Sequence, residues 1–246
     1  MIYMGSKNRL SKYFLPVILS HRNEGQTFVE PFCGGCNLTD KVEGPRIASD
    51  ANKYLIGLWK ALQSGWTPPE KVTREMYNET KANKDAFPPE LVGWIGFVWS
   101  FRGTFYGAFV GEGVHRCGTN YGERGAANVL AQVAKLEGVD FRHSTYDALE
   151  IPDRSLIYCD PPYAGVSKYK FEIDHEKFWE WCRQKNIEGH TVFVSEYDAP
   201  DDFVCLWMRE TKSTLAYNSK TKSNNVVIHT ERLFVHETSL VLMDML

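Results

Sequence analysis

The sequence lacks the features of a membrane, secreted or disulfide-bonded protein. No apolar run approaches the roughly 18 residues of a membrane span. The opening MIYMGSKNRL has no apolar signal core, so no secretory leader is expected and a cytoplasmic location is. Six cysteines in 246 residues do not make a disulfide scaffold. Cys33 and Cys36 form a lone CxxC with no second pair at zinc spacing, so the six are read as reduced thiols and no metal is expected. An excess of one charge is also missing. The net charge of -3 excludes a uniformly basic nucleic-acid coat, although it leaves room for a local patch. Repeats and low-complexity tracts are absent. What remains is an ordinary globular composition, 43% hydrophobic and 24% charged. The length suits one large domain, or one domain carrying a sizeable insertion.

Along the chain, Ser11 to His21 reads as a helix that must accommodate Pro16. Thr27–Phe32 is a short apolar run ending in proline and paired glycines, the pattern of a buried strand feeding a tight turn. Arg46–Asp50 is a second short strand, and Tyr54–Gln63 has helical periodicity that stops at Ser64-Gly65. Residues 66–100 are helix-like, with proline pairs at 68–69 and 88–89. Residues 103–125 hold seven of the nineteen glycines and read as a long loop, with helix resuming over Ala126–Leu136. Strands return at Val139–His143, Ser155–Cys159 and Thr191–Ser195. Asp174–Lys185 between them is a helix with Phe178, Trp181 and Cys182 on one face. Residues 203–207 and 232–236 alternate like closing antiparallel strands. The sum is an α/β protein interrupted by a helical, glycine-rich insertion. The expected boundaries are 1–59 and 139–246 for the α/β part and 60–138 for the insertion.

Four clusters carry chemistry. Asp160-Pro161-Pro162-Tyr163 follows an apolar strand directly, where α/β sheets place ligands. A carboxylate, a carbonyl on a stiff backbone and an aromatic face suit a planar group bearing an NH2, such as adenine; the plainer reading is a strand end with Tyr163 as packing. The turn Phe32-Cys33-Gly34-Gly35 lets a ligand approach the backbone closely, or is simply a turn. It matches neither the dinucleotide fingerprint nor a phosphate loop. Asp50, sixteen residues beyond Gly34, is placed either to accept the two ribose hydroxyls of a nucleoside or to cap the helix after it. Lys7, in Tyr3-Met4-Gly5-Ser6-Lys7, is either a partner for a small carboxylate or part of a solvated basic terminus.

Taken together, FVEPFCGG, the acid in SDAN at 49–52, DPPY at 160–163 and the opening YMGSK resemble the Dam-type adenine-specific DNA methyltransferases, in the motif order of their alpha group. The resemblance runs from residue 1 to about residue 235, with Asn218 in a polar loop and Glu231-Arg232-Leu233 opening a last strand. It implies a Rossmann-like methyltransferase sheet with an inserted target-recognition domain. It also implies S-adenosylmethionine as cofactor, double-stranded DNA as partner, and methylation of an adenine flipped out of the helix. By this resemblance Lys7 takes the methionyl carboxylate with Tyr3 alongside, and Phe32, Cys33 and Gly34 line the methionine. Asp50 holds the ribose, and Tyr146 and Asp147 bracket the cofactor adenine. Asp160 faces cofactor and target base, while Pro161 and Tyr163 complete the catalytic set. Cys33 and Cys36 sit in the cofactor turn and are read as packing, not as the nucleophile of cytosine-C5 chemistry.

DNA contacts fall elsewhere. Residues 60–140 hold nine basic and nine acidic residues, so readout there rests on placed groups and not on bulk charge. Arg102, in SFRGTFYG, is the candidate for guanine, with Phe101, Phe105 and Tyr106 as wedges or as core. GATC-methylating relatives carry an Asn-Arg-x-Gly-type element at this place, and this chain does not. Arg116 and Arg124 are expected in the loop, reaching phosphates. Lys168 and Tyr169 fall in a segment resembling the loop that closes over the base. Lys220 and Lys222 lie in the most basic stretch, 209–232, where five basic residues face two acids. The alternatives are another amino-methyltransferase, acting on cytosine or on RNA adenine, and a catalytically silent DNA-binding protein. Whether the chain is a solitary bacterial or phage methylase or half of a restriction-modification pair, its recognition sequence and its oligomeric state are left open by the sequence.

Overall fold

The computed structural model describes residues 1–111, 118–163, 173–218 and 223–243; within 212–227 and 241–243 it describes the backbone alone. The chain divides into two compact units, the first of Met1–Lys12 with Thr27–Ile151 and the second of Tyr13–Gln26 with Pro152–Leu246. The opening helix α1 (Asn8–Leu19) runs from the first into the second and holds Pro16 inside it.

The first unit is built on three parallel strands: β1 (Phe28–Glu30), β2 (Arg46–Asp50) and, beyond a helical stretch, β3 (Val139–His143), in the order β3-β2-β1. Phe28 lies opposite Arg46, and Asp50 opposite His143. Every residue of β1 is buried, as expected for a parallel strand covered on both faces. Helix α2 (Lys53–Gln63) turns Leu55, Ile56, Leu58, Trp59 and Leu62 inward, and Trp59 lies nearly parallel to Phe141 of β3, ring centroids 6.2 Å apart. After α3 (Arg74–Ala82) and α4 (Pro89–Gly93), Trp94–Val98 winds as a wide π-helical turn with all five residues buried.

The glycine-rich stretch departs from the sequence expectation. Helix α5 (Tyr121–Val133) starts before Ala126 and takes in Gly122 and Gly125. Glycine costs a helix backbone entropy, and here packing offsets that cost. A Cβ on Gly122 would stand 2.4 Å from the Trp99 ring, so the absence of a side chain is what lets this helix close on Trp99. Asn120 caps the helix by accepting the Gly122 and Glu123 N–H groups.

In the second unit, β4 (Leu156–Cys159), α6 (His175–Ile187) and β5 (Thr191–Glu196) form a strand–helix–strand unit with β4 and β5 parallel. Two antiparallel strands come next, β6 (Phe203–Asn218) and β7 (Ser223–His236), giving the order β4-β5-β7-β6, and α7 (Glu237–Met243) follows them. The hairpin strands run far beyond the expected 203–207 and 232–236, and Asn218 pairs with Ser223 as the last residue of β6 instead of lying in a loop. On α6 the buried set is Phe178, Trp179 and Cys182; Trp181, expected in it, is half-buried and stacks on Phe178. The parallel strands with helical crossovers and the antiparallel closing pair are the Rossmann-like α/β arrangement that the sequence implied.

Candidate functional site

The chemistry of the first unit gathers at the carboxyl ends of its parallel strands. Past β1 the chain turns through Cys33–Cys36, tied by the Cys33 N–H to the Ser49 carbonyl at 2.8 Å and the Cys36 N–H to the Cys33 carbonyl at 2.7 Å. Gly34 has φ +46°, and a Cβ there would stand 2.6 Å from a Tyr3 ring carbon, so Tyr3 packs where only glycine leaves space. The Asp50 carboxylate accepts the Gly34 N–H at 3.1 Å and the Asn52 N–H at 2.9 Å, one on each oxygen. The cap of α2 is Asn52, whose side chain accepts the Tyr54 and Leu55 N–H groups. Asp50 is thereby relieved of the capping role. A carboxylate has about four lone-pair sites, so two remain for outside donors. Burial pushes the Asp50 carboxyl up to about 6, against the pull of the Asn52 and Gly34 N–H groups.

Phe32, on the same turn, stacks on Tyr146 beyond β3, ring centroids 5.5 Å apart and 28° from parallel. The Ser144 N–H donates to the Asp50 carbonyl at 3.3 Å, which ties the Tyr146 loop to the end of β2. Asp147 is exposed. Lys7 is 8% exposed, which removes it from a solvated basic terminus. Its carbonyl accepts the Leu10 and Ser11 N–H groups at the start of α1. Cys33 and Cys36 are buried, and burial raises both thiols, so neither is poised as a thiolate.

Two residues that the sequence reading passed over hold this turn from beneath. Asn37 donates to the Ser6 hydroxyl at 2.8 Å and to the Met1 carbonyl at 3.0 Å, joining the YMGSK segment to the glycine turn. Gln132 of α5 donates to the Gly35 and Cys36 carbonyls, both at 3.1 Å, and to Asp40 at 3.0 Å. A polar residue on the buried side of an amphipathic helix was the available signal for Gln132.

In the second unit, β4 is wholly buried and delivers Asp160 to a partly exposed position at its carboxyl end, followed by buried Pro161 and partly buried Tyr163. The Tyr163 hydroxyl donates to the Glu231 carboxylate on β7 at 2.9 Å. Tyr197, just past β5, meets the Tyr163 ring nearly edge-on, 4.6 Å between centroids at 79°. Neither Glu231 nor Tyr197 was a sequence candidate.

Of the DNA candidates, Arg102 is exposed, with φ +59° and its guanidinium 5.1 Å above the ring of Phe101, itself 52% exposed. Tyr106 is buried, and Phe105 packs between Phe97 and Tyr106, so of the three aromatics only Phe101 is left to meet a partner. Arg124 is exposed on the first turn of α5, not in a loop. Arg116, Lys168, Tyr169, Lys220 and Lys222 lie outside the described residues. No helix among the described residues is long and apolar enough to cross a membrane.

Comparison with known proteins adds sequence likeness to this geometry. The Type II methyltransferase M.FokI of Planomicrobium okeanokoites is 23% identical over 215 residues, covering 76% of this chain and 32% of that protein. The chain thus spans about a third of the length of this curated relative. Among solved structures, PH1948 of Pyrococcus horikoshii, described as a candidate RNA methyltransferase, aligns over 95% of this chain and 86% of its own, with a TM-score of 0.43 and 11% identity. A candidate methyltransferase of Thermoplasma acidophilum aligns over 92% and 74%, with a TM-score of 0.32 and 9% identity. Residues 3–88 match the family described as D12 class N6 adenine-specific DNA methyltransferase. It is the adenine-specific DNA methyltransferases, then, that this chain resembles, with residues 3–88 carrying the match.

Proposed function

We propose that the chain transfers the methyl group of S-adenosylmethionine to the exocyclic amine of an adenine flipped out of double-stranded DNA, in a cytoplasmic setting. The observation that carries this reading is the Asp160–Tyr163 segment, which follows a fully buried strand with Asp160 partly exposed and the Tyr163 ring held in place. The residues of the first unit fit the cofactor. Asp50 has lone pairs left for two ribose hydroxyls, the Phe32–Tyr146 pair offers aromatic surface for a purine, with Asp147 beside it, and the turn at Cys33 and Gly34, with Tyr3 packed on the glycine, is assigned to the methionine. Lys7 and Tyr3 are the candidates for the methionyl end.

When bound, S-adenosylmethionine supplies an electrophilic sulfonium methyl group. The chain's own residues do the rest. The amine of adenine is a poor nucleophile because its lone pair is delocalised into the ring. Hydrogen bonds from that NH2 to the Asp160 carboxylate and the Pro161 carbonyl favour a pyramidal nitrogen with its lone pair available. Tyr163 stacks on the base and offsets part of the few kcal/mol that unstacking costs. The rate gain is one of positioning and preorganised electrostatics, and it needs no covalent enzyme intermediate. Arg102 is proposed to read a base, and Arg124, Arg116, Lys168, Tyr169, Lys220 and Lys222 to contact the nucleic acid. Residues 60–138 are proposed as the recognition segment.

The test is to incubate the chain with labelled S-adenosylmethionine and duplex DNA and to map the modified bases. Label on the adenine amine, lost in Asp160→Ala, is expected. Label on cytosine, label on RNA alone, or DNA binding without transfer would each select one of the rival readings.

A further inference from the structure

Tyr163 is held more firmly than a stacking surface requires. Its hydroxyl is bonded to Glu231, 68 positions along the chain on β7, at 2.9 Å. Its ring is met edge-on by Tyr197 at 4.6 Å. Tyr197 is itself fixed from three sides. Its N–H donates to the Glu196 carboxylate at 2.7 Å, the Arg232 guanidinium donates to its carbonyl, and the His229 ring stacks on it at 5.6 Å and 17°. Glu196 and Arg232 are direct cross-strand partners between β5 and β7. The aromatic ring after the two prolines is thus braced by one continuous piece of antiparallel sheet.

We infer that Glu231 is a positioning residue for the methyl-accepting base: by receiving the Tyr163 hydroxyl, with Tyr197 against the ring edge, it fixes the plane on which the base stacks before the base arrives. The inference rests on the proposed adenine methylation. A tyrosine side chain has two torsions, and a ring free in both would have to be ordered by the incoming base at the expense of binding energy. Tethering the hydroxyl removes that freedom in advance, and small misplacements near a reacting centre cost rate steeply. Burial, then the carboxylates of Asp160 and Glu231, push the Tyr163 hydroxyl well above its ordinary range, so it remains a donor throughout the working pH range. The bond also explains the choice of tyrosine over phenylalanine, which would stack equally well.

The experiment uses the full chain, carrying Glu231→Ala, Glu231→Gln, Tyr163→Phe, or Glu231→Ala with Tyr163→Phe. Single-turnover methyl transfer is measured at saturating cofactor and DNA. The fluorescence of 2-aminopurine at the target position reports the flipped base, and calorimetry reports cofactor affinity. Glu231→Ala and Tyr163→Phe should each slow transfer roughly tenfold and change the 2-aminopurine signal, with cofactor affinity unchanged. The double variant should be no slower than either single one, because both remove the same bond. Glu231→Gln keeps an acceptor oxygen and should retain most of the rate. Wild-type transfer in Glu231→Ala, or multiplied losses in the double variant, would overturn the positioning role. So would a Glu231→Gln as slow as the alanine variant. If Glu231→Ala does not fold, Tyr163→Phe at the wild-type rate overturns it instead. A wild-type chain that methylates no adenine defeats the proposed function and takes this role with it, an outcome distinct from the others because it appears before any substitution.

Discussion

The carboxylate of Asp50 holds the backbone of Gly34: an oxygen at the end of β2 accepts an N–H from the turn that ends β1, at 3.1 Å. One acid thus fixes the shape of the glycine turn and keeps its remaining lone pairs at the carboxyl ends of parallel strands, where open α/β sheets bind ligands. The neighbouring strand end adds the Phe32–Tyr146 stack, and Gln132 secures the turn from the other side.

With Asp50 on the ribose, as proposed, its raised carboxyl should make cofactor binding pH-dependent. Only the ionised form accepts two hydroxyl donors well. Affinity for S-adenosylmethionine should therefore fall by up to about tenfold per pH unit below about 6 and level off above it. Between pH ~4 and about 6 the folded chain keeps a proton that the unfolded chain has released, so this group's contribution to stability declines as pH rises through that window. Calorimetric titration from pH 5 to 8, with Asp50→Asn as the flat control, reads the first effect. A wild-type profile as flat as the control would place the ribose elsewhere.

Gly34→Ala should destabilise the fold by roughly 1–3 kcal/mol, because it meets both a positive φ and the Tyr3 ring. Adding Tyr3→Ala should return the part due to the clash and leave the part due to the backbone. Denaturant melts of the two variants separate the terms, and a single variant as stable as the wild type would show that the turn relaxes freely.

Asp160→Ala should abolish labelled methyl transfer to adenine at saturating cofactor, since the amine loses its charged acceptor. Tyr163→Ala loses a stacking surface worth ~1–3 kcal/mol. An unpaired target adenine, already partly unstacked, should rescue Tyr163→Ala more than Asp160→Ala. Equal rescue of the two would assign them one role in place of two.

Arg102→Ala should relax preference at one base pair by roughly 1–3 kcal/mol. Phe101→Ala should instead weaken binding similarly on all sequences, since a wedge or stack reads no donor pattern. Competition titrations against single-base variants of the site distinguish the two. A uniform loss in Arg102→Ala would make it a phosphate contact.

Elements whose pattern lies in consecutive residues were legible. Arg46–Asp50 and Val139–His143 are strands over the expected spans, and Lys53–Gln63 differs from the expected helix by one residue. The glycines of α5 misled because a glycine's backbone cost is visible in sequence while the approach of Trp99 that offsets it is not. The β6–β7 hairpin was cut short because its outer part is a polar ribbon, bonded along both strands from Phe203 opposite His236 to Asn218 opposite Ser223, with no long apolar alternation to announce it.

The sequence by itself determined which groups the chain owns: an acid at the end of β2, a glycine turn after β1, and a carboxylate, a stiff carbonyl and a ring after β4. Those follow from local chemistry, since a short apolar run that meets polar or turn-forming residues marks a strand end whatever surrounds it. The tertiary structure alone decided how those groups are held. That Asn52 caps α2 and leaves Asp50 to Gly34, that Tyr3 fills the space over two glycines, and that Glu231 receives Tyr163 all depend on strand register and helix approach. Register is a property of pairing between distant segments, and one residue of slip would turn each side chain to the opposite face.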